Sequence, residues 1–278
     1  HYPAGDEQVL VYEILGSIVP PGGLPLDVNC VVLNVETLLN VKRACDGQPV
    51  TDTCLTVCGA VRHPCTMRIP VGTAIAEALA LAGGPTVEDY AVLDGGPMMG
   101  FLVSPQSPVK KTCKGLVVLP ASHPLITRRR QSWETIAKQA AYACMECRLC
   151  TDTCPRYLLG HPLEPHKLMR ALGSGPPDSQ RWLAMAKLCC ECGVCDLFAC
   201  PHDLSPRWVS HHLKAGIEPS RRFPQPARLE ANPKRGFQQL PTVRLIQRLE
   251  IKPWDVPAPW KEERYEPQRV SIPLCQHI

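Results

Sequence analysis

The stretch Cys144-Met-Glu-Cys147-Arg-Leu-Cys150-Thr-Asp-Thr-Cys154-Pro155 decides the fold of the chain around it. Two gaps of two residues, one gap of three and a closing proline make a spacing typical of [4Fe-4S] ligands in two-cluster proteins. In such proteins three cysteines of a run hold one cubane, and the fourth cysteine reaches the other cluster. A second run of the same kind is therefore expected elsewhere in the sequence.

That second run is Cys189-Cys190-Glu-Cys192-Gly-Val-Cys195-Asp-Leu-Phe-Ala-Cys200-Pro201, and the gap before its last cysteine is one residue longer. Crossed ligation then predicts two sets of four thiolates. Cys190 is surplus, because a run that began there would leave a gap of one residue before Cys192. The predicted first set is Cys144, Cys147, Cys150 and Cys200, and the predicted second set is Cys189, Cys192, Cys195 and Cys154.

Structural zinc is the alternative interpretation, since paired Cys-x2-Cys units can also supply four thiolates to one tetrahedral ion. Eight cysteines in two matched runs exceed what one zinc needs, so iron–sulfur ligation is favoured. His161, His166 and His202 are interpreted as surface or supporting residues, because the thiolates already complete the ligand count. The earlier cysteines are assigned to packing, with two of them on one strand face (Cys54 and Cys58); the others are Cys30, Cys45, Cys65 and Cys113.

The composition is that of a globular chain: 278 residues, of which 45% are hydrophobic and 20% charged. The 30 prolines predict long extended or irregular stretches. The net charge of +4 mixes both signs, which gives no basic stripe for nucleic acid, and the run Arg128–Arg130 is interpreted as a solvated segment. The longest apolar stretch, Ala74–Ala82, is about half the ~20 residues that a membrane-spanning helix needs. Regular Cys-x2-Cys spacing indicates a reducing compartment.

Hydrophobic periodicity predicts a small β-sheet unit over residues 51–85. Leu55 and Val57 alternate with polar or small residues before a turn at His63-Pro64, and a second alternating stretch follows, which indicates a hairpin. The next helix has Thr73 as its expected N-cap and stops at Gly83-Gly84-Pro85; its inner face is predicted to consist of Ile75, Ala78, Leu79 and Ala82. Strand, strand and helix in this order suggest a β-grasp unit, with or without a ligand.

The pattern around the cysteine runs is helical. Helices are predicted over 133–143, with Ser132 as N-cap, over 165–172, and over 181–188. In the glycine-rich stretch Asp94–Gly100 the backbone is expected to pass close to another part of the molecule. This stretch is interpreted as structural, because a glycine-rich loop alone is weak evidence for a phosphate site.

Four further stretches carry a family resemblance: Tyr2-Pro-Ala-Gly5-Asp6-Glu7-Gln8, Val19-Pro-Pro-Gly-Gly-Leu-Pro-Leu26, Asn34-Val-Glu-Thr37 and Asp94-Gly-Gly-Pro-Met-Met-Gly100. Together they resemble the flavin-bearing subunit family of respiratory NADH dehydrogenase. Within that family the chain looks most like the branch of cobalamin reductases of propanediol-utilisation microcompartments, and next most like the C subunits of Rnf electron-transport complexes. The likeness extends over nearly the whole chain.

The resemblance implies that Gly5, Asp6, Glu7, Asn34 and Thr37 border an FMN and NADH pocket. Leu33 stands where the respiratory enzyme has the first asparagine of a pair, and the family's glycine-rich flavin segment would lie before His1. Residues 269–277 are similar to the opening of the family's terminal barrel-sandwich-like lobe, and residues 219–267 are expected to form an extended proline-rich connector. The sequence is thus interpreted as an internal piece or a shortened version of a longer reductase.

The expected fold class is α+β, with five segments. Residues 1–48 are the remainder of an FMN- and NADH-binding α/β domain, and residues 49–104 are a β-grasp domain similar to the soluble-ligand-binding (SLBB) type. Residues 105–131 are a connector, residues 132–214 an α-helical dicluster ferredoxin-like domain, and residues 215–278 the proline-rich connector with the start of the terminal lobe.

The function that the resemblance implies is electron transfer from NAD(P)H through FMN and two [4Fe-4S] clusters to an acceptor. The expected acceptor is cobalamin, which would reactivate a cobalamin-dependent enzyme; an acceptor protein, a microcompartment partner or a membrane electron-transport complex of the Rnf type is the alternative. A flavin-free iron–sulfur conduit and a zinc-stabilised interaction module are further alternatives. The expected location is the cytoplasm, the lumen of a microcompartment or the periphery of the inner membrane.

Overall fold

Five strands form one mixed sheet at the centre of the molecule. The computed structural model describes residues 2–173, 179–217, 223, 229–238, 240 and 242–249. The strands are β1 Asp52–Gly59, β2 Cys65–Pro70, β3 Tyr90–Asp94, β4 Phe101–Val103 and β5 Gly115–Pro120. Their order across the sheet is β2-β1-β5-β3-β4; β1 pairs in parallel with β5, and the other three pairings are antiparallel.

Along the chain, helices lie before the first strand, between the strands and after the last strand. Before β1 lie α1 Glu7–Leu15, a 3-10 turn Pro25–Val28 and α2 Val35–Cys45, and between β2 and β3 lies α3 Ile75–Leu81. After β5 come α4 Pro124–Arg129, α5 Trp133–Ala143, α6 Leu149–Asp152, α7 Pro155–Leu158, α8 Pro165–Gly173 and α9 Ser179–Ala184. These are followed by a 3-10 turn Met185–Leu188, a π-helical turn Cys195–Ala199, α10 Pro206–Lys214, α11 Arg235–Gln238 and α12 Thr242–Arg248.

The predicted hairpin and its following helix are confirmed. β1 and β2 are antiparallel neighbours, and Leu55 lies opposite Met67. Leu55 and Val57 are fully buried, because alternate side chains of a strand share one face. The predicted inner face of α3 packs on them: Ile75, Ala78, Leu79 and Ala82 all belong to the same buried cluster.

The predicted cap of α3 is wrong. The N-cap position is occupied by Ala74, which has no side-chain capping bond, and not by Thr73. The Thr73 hydroxyl donates instead to the carbonyl oxygen of Pro70 at 2.9 Å, so it serves the turn that leaves β2. A threonine in such a turn can satisfy its hydroxyl locally, which removes it from helix capping.

Strand β5 lies in the stretch 105–131 that the sequence assigns to a connector, and it occupies the middle of the sheet. Both faces of β5 are covered. Leu116 and Val118 face the α3 side, whereas Val117 and Leu119 pack with residues of the second cysteine run. Burial on both faces explains why β5 is a continuous apolar run without alternation. Such a run does not by itself indicate a strand.

The helices around the cysteine runs lie where the sequence predicts them. Ser132 caps α5 by accepting a hydrogen bond from the backbone N–H of Thr135 at 3.3 Å. The helix predicted over 165–172 is α8, which ends one residue later at Gly173. The helix predicted over 181–188 is divided into α9 and the 3-10 turn Met185–Leu188.

The N-terminal segment 2–48 contributes little to the core. Helix α1 buries Gln8, Val9 and Val11, but α2 buries none of its side chains. Val35 and Leu38 of α2 are 84% and 60% exposed. The expected remainder of an α/β domain is therefore present here as two helices and a 3-10 turn.

In the part of the chain that the structure describes, no helix combines the length and the apolar character needed to cross a membrane. The expected terminal lobe at 269–277 lies outside the described residues, and so does most of the expected connector at 219–267. The described part of that connector is not simply extended, because it contains the helices α11 and α12.

Candidate functional site

The structure gathers the first set of predicted ligands from both cysteine runs. Cys200, the last cysteine of the second run, lines one cavity together with Cys144, Cys147 and Cys150 of the first run. Burial raises the pKa of Cys150 to about 12, and the neighbouring thiols Cys144, Cys147 and Cys200 contribute to this rise. This mutual influence places the four sulfurs of the first set in one neighbourhood.

The second set is gathered in the same way. Burial raises the pKa of the Cys195 thiol well above its usual range, and the nearby Cys189 and Cys154 add to the effect. Burial likewise raises the pKa of Cys154, with Cys190 and Cys189 as neighbouring thiols. Thiols that hold one another neutral become thiolates when a cation binds among them, so both neighbourhoods fit a positively charged metal core.

The two runs share two left-handed backbone positions. Glu146 and Glu191 have positive φ angles of 54° and 56°, and the residues two positions later, Arg148 and Gly193, have φ angles of 66° and 77°. Left-handed residues turn successive backbone N–H groups toward one point. The N–H of Glu191 donates to the Cys189 sulfur at 3.3 Å, and the N–H of Glu146 donates to the Cys144 sulfur. Such N–H donors to sulfur help to set cluster potentials.

The longer final gap of the second run has a structural explanation. Residues Cys195–Ala199 form a π-helical turn, whereas the corresponding stretch of the first run is the short helix α6. A π-helical turn holds one more residue than an α-helical turn. The extra residue is thereby absorbed, and Cys200 still reaches the first set as Cys154 reaches the second.

The two sets differ in depth. Cys147 of the first set is exposed, whereas Cys154, Cys192 and Cys195 of the second set are buried. Exposed apolar side chains lie in and beside the first run, with Tyr142 90% and Met145 65% exposed. The first set thus lies near the surface, and the second lies between the helices and the sheet.

The N-terminal segment touches the buried second set. The Tyr2 hydroxyl donates to the backbone carbonyl oxygen of Cys192 at 2.5 Å. Asp6 accepts a hydrogen bond at 2.9 Å from Arg156, the residue that directly follows Cys154 and Pro155 in the chain. Asp6 also caps α1 by accepting from the N–H of Val9 at 3.2 Å.

The five residues expected to border FMN lie in two places. Asp6 pairs with Arg156, while its neighbours Gly5 and Glu7 are exposed. Asn34 caps α2 by accepting a hydrogen bond from the N–H of Glu36 at 2.9 Å. Asn34 and Thr37 also line a cavity, whose other lining residues include Thr53, Lys111 and Lys114. Glu36 joins α2 to the sheet, because it accepts hydrogen bonds from Cys54 and Lys114. These contacts do not bring the two groups together, and their assignment to FMN stays a prediction.

The glycine-rich turn between β3 and β4 packs against the second cysteine run. A side-chain carbon at Gly193 would lie 2.4 Å from the carbonyl oxygen of Met98, so the two backbones are in direct contact. Two buried arginines hold this turn: Arg129 donates to Met98 at 2.9 Å, and Arg207 donates to Met99 at 2.6 Å. The expected close approach of the backbone is therefore to the cysteine run.

Several sequence interpretations need correction. The run Arg128–Arg130 is not simply a solvated segment, because Arg129 is only 9% exposed and Arg128 is paired with buried Asp196 at 2.8 Å. The three histidines interpreted as surface or supporting residues differ in burial, and His166 and His202 both line the cavity of the first set.

His161 is buried, and its Nε2 lies 2.9 Å from the carbonyl oxygen of Val19. His166 is buried against Thr151 at 2.7 Å, while His202 lies at the surface next to Met145.

The assignment of the earlier cysteines to packing is partly right. Cys113 is buried, and Cys58 and Cys65 are half-buried against the two faces of the sheet. Cys45 and Cys54, in contrast, are exposed. Among the described residues, no three His, Cys, Asp or Glu side chains form a group tight enough for a single metal ion.

Three domain families match successive parts of the chain. A Nuo51 FMN-binding domain matches residues 1–43, an SLBB domain matches residues 55–102, and a 4Fe-4S dicluster domain matches residues 143–205. The fold and the site thus define an α+β protein in which an SLBB β-grasp domain and a 4Fe-4S dicluster domain follow a segment of the Nuo51 FMN-binding type.

Over its whole length the chain is similar to cobalamin reductases named PduS. It is 44% identical to that of Salmonella typhimurium over its whole length, and it spans 62% of the length of that relative. It is also 32% identical, over 56% of its own length and 32% of the relative's, to a component of the proton-translocating ferredoxin:NAD(+) oxidoreductase complex of Clostridium ljungdahlii. A solved NAD+-reducing [NiFe]-hydrogenase chain is 20% identical with a TM-score of 0.40, covering 81% of this chain and 47% of that chain.

Proposed function

We propose that the chain is part of an electron-transfer flavo-iron–sulfur oxidoreductase that passes electrons from NAD(P)H through FMN and two [4Fe-4S] clusters to an acceptor. The observation that supports this proposal is that two groups of neighbouring thiols each draw on both runs: Cys200 lines a cavity with thiols of the first run, and Cys154 lies near thiols of the second run. When bound, the clusters supply one-electron redox chemistry, while the chain fixes their position and surroundings. The match to a 4Fe-4S dicluster domain over residues 143–205 supports the same proposal.

We propose that the second set faces the electron donor and the first set faces the acceptor. Tyr2 and Asp6 of the N-terminal segment, which matches an FMN-binding domain, contact the backbone and neighbours of the second set. The first set lies near the surface at Cys147. A buried site near the donor segment and an exposed site elsewhere favour this direction of transfer.

The proposed acceptor is cobalamin. This choice rests on the relatives named cobalamin reductase, to which the whole chain is similar. Transfer within a membrane-associated complex is the second candidate, and the similarity to components of ion-translocating oxidoreductase complexes favours it. The proposed location is accordingly the cytoplasm or a microcompartment lumen for the first candidate, and the membrane periphery for the second.

A flavin-free electron conduit is a third candidate for the chain by itself. Two polar side chains expected at the FMN pocket already make structural contacts within the chain. Asp6 caps α1 and pairs with Arg156, and Asn34 caps α2. Both NADH and NADPH are tested as electron donors.

The experiment is anaerobic purification of the chain, followed by iron, sulfide, zinc and flavin analysis of one sample. About eight irons and eight sulfides per chain are expected from two cubanes. Bound FMN together with these would support the reductase, and its absence would favour the conduit. Zinc without sulfide would overturn the iron–sulfur proposal. Reduction of the clusters by NADH or NADPH, followed by oxidation with cob(III)alamin, tests the donor and acceptor assignments.

A further inference from the structure

Positive charge is concentrated in the layer between the sheet and the second cysteine run. Arg207 and Arg129 are 1% and 9% exposed, and both reach the glycine-rich turn. Arg128 lies beside them, with its guanidinium 2.8 Å from the carboxylate of Asp196. Asp196 is 2% exposed and directly follows Cys195.

The buried carboxylate of Asp196 does not balance the three arginines of this layer. Arg128 pairs with Asp196 and also with the exposed carboxylate of Asp203 at 3.0 Å. Arg129 and Arg207 instead donate hydrogen bonds to neutral carbonyl oxygens of residues 97–99. The Nε and Nη1 groups of Arg129 and the Nε group of Arg207 are buried without a partner among the described residues. Burial, followed by the repulsion of Arg207, lowers the pKa of Arg129 to about 10.

Aromatic rings compensate part of this charge. The Arg207 guanidinium lies 4.7 Å from the centre of the Trp208 ring and 5.1 Å from that of Phe101, and Arg129 lies 5.2 Å from Trp208. A ring face contributes far less than a full counter-ion. Buried charge of this amount requires an anion close by.

The second set is the anionic group that fits. A doubly positive [4Fe-4S] core held by four thiolates carries a net double negative charge, and cluster charge and surroundings set its potential. The carbonyl oxygen of Met98, which accepts from both arginines, touches Gly193 between Cys192 and Cys195. Both arginines are therefore connected to the run that carries the second set through one shared backbone contact.

We propose that Arg129 and Arg207 are positioning residues of the second cluster, which clamp the 97–99 turn against Gly193 and raise the reduction potential of that cluster relative to the first. Adding one electron increases the negative charge of the cluster, so fixed positive charge favours the reduced form. This inference rests on the proposed function, specifically on the ligation of a cluster by the second set.

The test is a redox titration of the anaerobically purified chain, followed by the EPR signals of the reduced clusters. The Cys147→Ser variant, which lacks one ligand of the first set, assigns the two signals. In Arg129→Gln and Arg207→Gln, the equilibrium constant for reducing the second cluster is expected to fall about tenfold, or about 59 mV for one electron. The first cluster is expected to keep its potential.

Two further variants separate charge from packing. Arg207→Lys keeps the charge but loses the planar fork, so it is expected to retain most of the potential. Arg68→Gln is the matched control and is expected to leave both potentials unchanged, because Arg68 lies on the outer strand β2 and pairs with Asp52 of β1.

Unshifted potentials in the Arg129→Gln and Arg207→Gln variants with both clusters intact would overturn the inference, and so would equal shifts of both clusters. If Arg207→Gln fails to hold its second cluster, the Arg129→Gln and Arg207→Lys variants decide. A lower potential of the second cluster in Arg129→Gln, together with a retained potential in Arg207→Lys, supports the inference. Any other pattern overturns it. Absence of both clusters from the unaltered chain would instead defeat the proposed function.

Discussion

Arg156 donates a hydrogen bond to the carboxylate of Asp6 at 2.9 Å across 150 residues of sequence, with side chains only 8% and 11% exposed. This pair ties the N-terminal segment to the helix that follows Cys154. Because α2 is unburied, the attachment of the segment depends strongly on α1 and on this ion pair. The contribution of this ion pair to the free energy of unfolding can be measured.

Removing one partner of the Asp6–Arg156 pair is expected to destabilise the fold by about 3–5 kcal/mol, because the other charge is left buried. Chemical denaturation of Arg156→Gln and Asp6→Asn under anaerobic conditions measures the free energy of unfolding. The matched control is Lys42→Gln in the exposed pair with Asp46, where a change of at most about 1 kcal/mol is expected. Equal small losses in all three variants would contradict a structural role for the buried pair.

Gly193 is expected to tolerate no side chain. Its φ of 77° strains any other residue, and a Cβ would lie 2.4 Å from the Met98 carbonyl oxygen. Gly193→Ala should therefore displace the second run and lose about half of the iron, as two equal clusters imply. Arg148 occupies the equivalent position of the first run with a φ of 66°.

Arg148→Ala is the control for Gly193→Ala, because it changes a left-handed residue that already carries a side chain. It is expected to retain full iron content. Iron and sulfide analysis of both variants makes the comparison. A Gly193→Ala protein with full iron and an unaltered spectrum would show that the contact with Met98 is not needed.

The cysteine runs could be predicted from the sequence because ligand spacing is local, and so could the hairpin and α5, whose periodicity and cap lie within a few residues. The centre of the sheet could not, since β5 is apolar on both faces and its parallel pairing with β1 joins residues far apart. Thr73 fits an N-cap in sequence, yet its hydroxyl is taken by the preceding turn. Local patterns do not report such competition.

The arginines beside the second set could not be recognised from sequence either. Arg129 belongs to a basic run, which usually marks a solvated face, and its burial follows from how α4 meets the 97–99 turn. Arg207 follows a proline at the start of α10 without any motif. A weak signal existed in the Asp94–Gly100 stretch, because a glycine-rich turn indicates close backbone contact.

Acid is expected to weaken the fold through His161. Burial lowers its pKa to about 4 from the usual value of about 6.5, so the folded state keeps the ring neutral where the unfolded state takes up a proton. The stability contributed by the neutral ring is complete above about pH 6.5 and is lost as the pH falls toward 4. Between about pH 7 and pH 5.5 the expected loss is on the order of 1 kcal/mol.

The free energy of unfolding at several pH values measures this loss, with His161→Gln as the comparison. The variant is expected to have a flatter pH profile over the same range, even if it is less stable throughout. His202→Gln is the control, since that histidine is exposed and should leave the profile unchanged. Parallel profiles for the unaltered chain and His161→Gln would argue against His161 as the titrating group.

Crossed ligation predicts which cysteine variants resemble each other. Cys200→Ser should lose the same EPR signal as Cys147→Ser, although the two residues belong to different runs, because both line the cavity of the first set. Cys154→Ser should lose the same signal as Cys195→Ser. Each variant is expected to keep about half of the iron of the unaltered chain.

Cys190→Ser is the matched control for these four variants, because Cys190 lies beside Cys192 but is predicted to be surplus to the second set. It is expected to keep full iron content and both signals. If Cys200→Ser instead lost the signal that Cys195→Ser loses, each run would hold its own cluster, and the gathering of Cys200 with the first run would be a feature of packing alone. Loss of iron in Cys190→Ser with retention in Cys192→Ser would place that ligand two residues earlier in the second run.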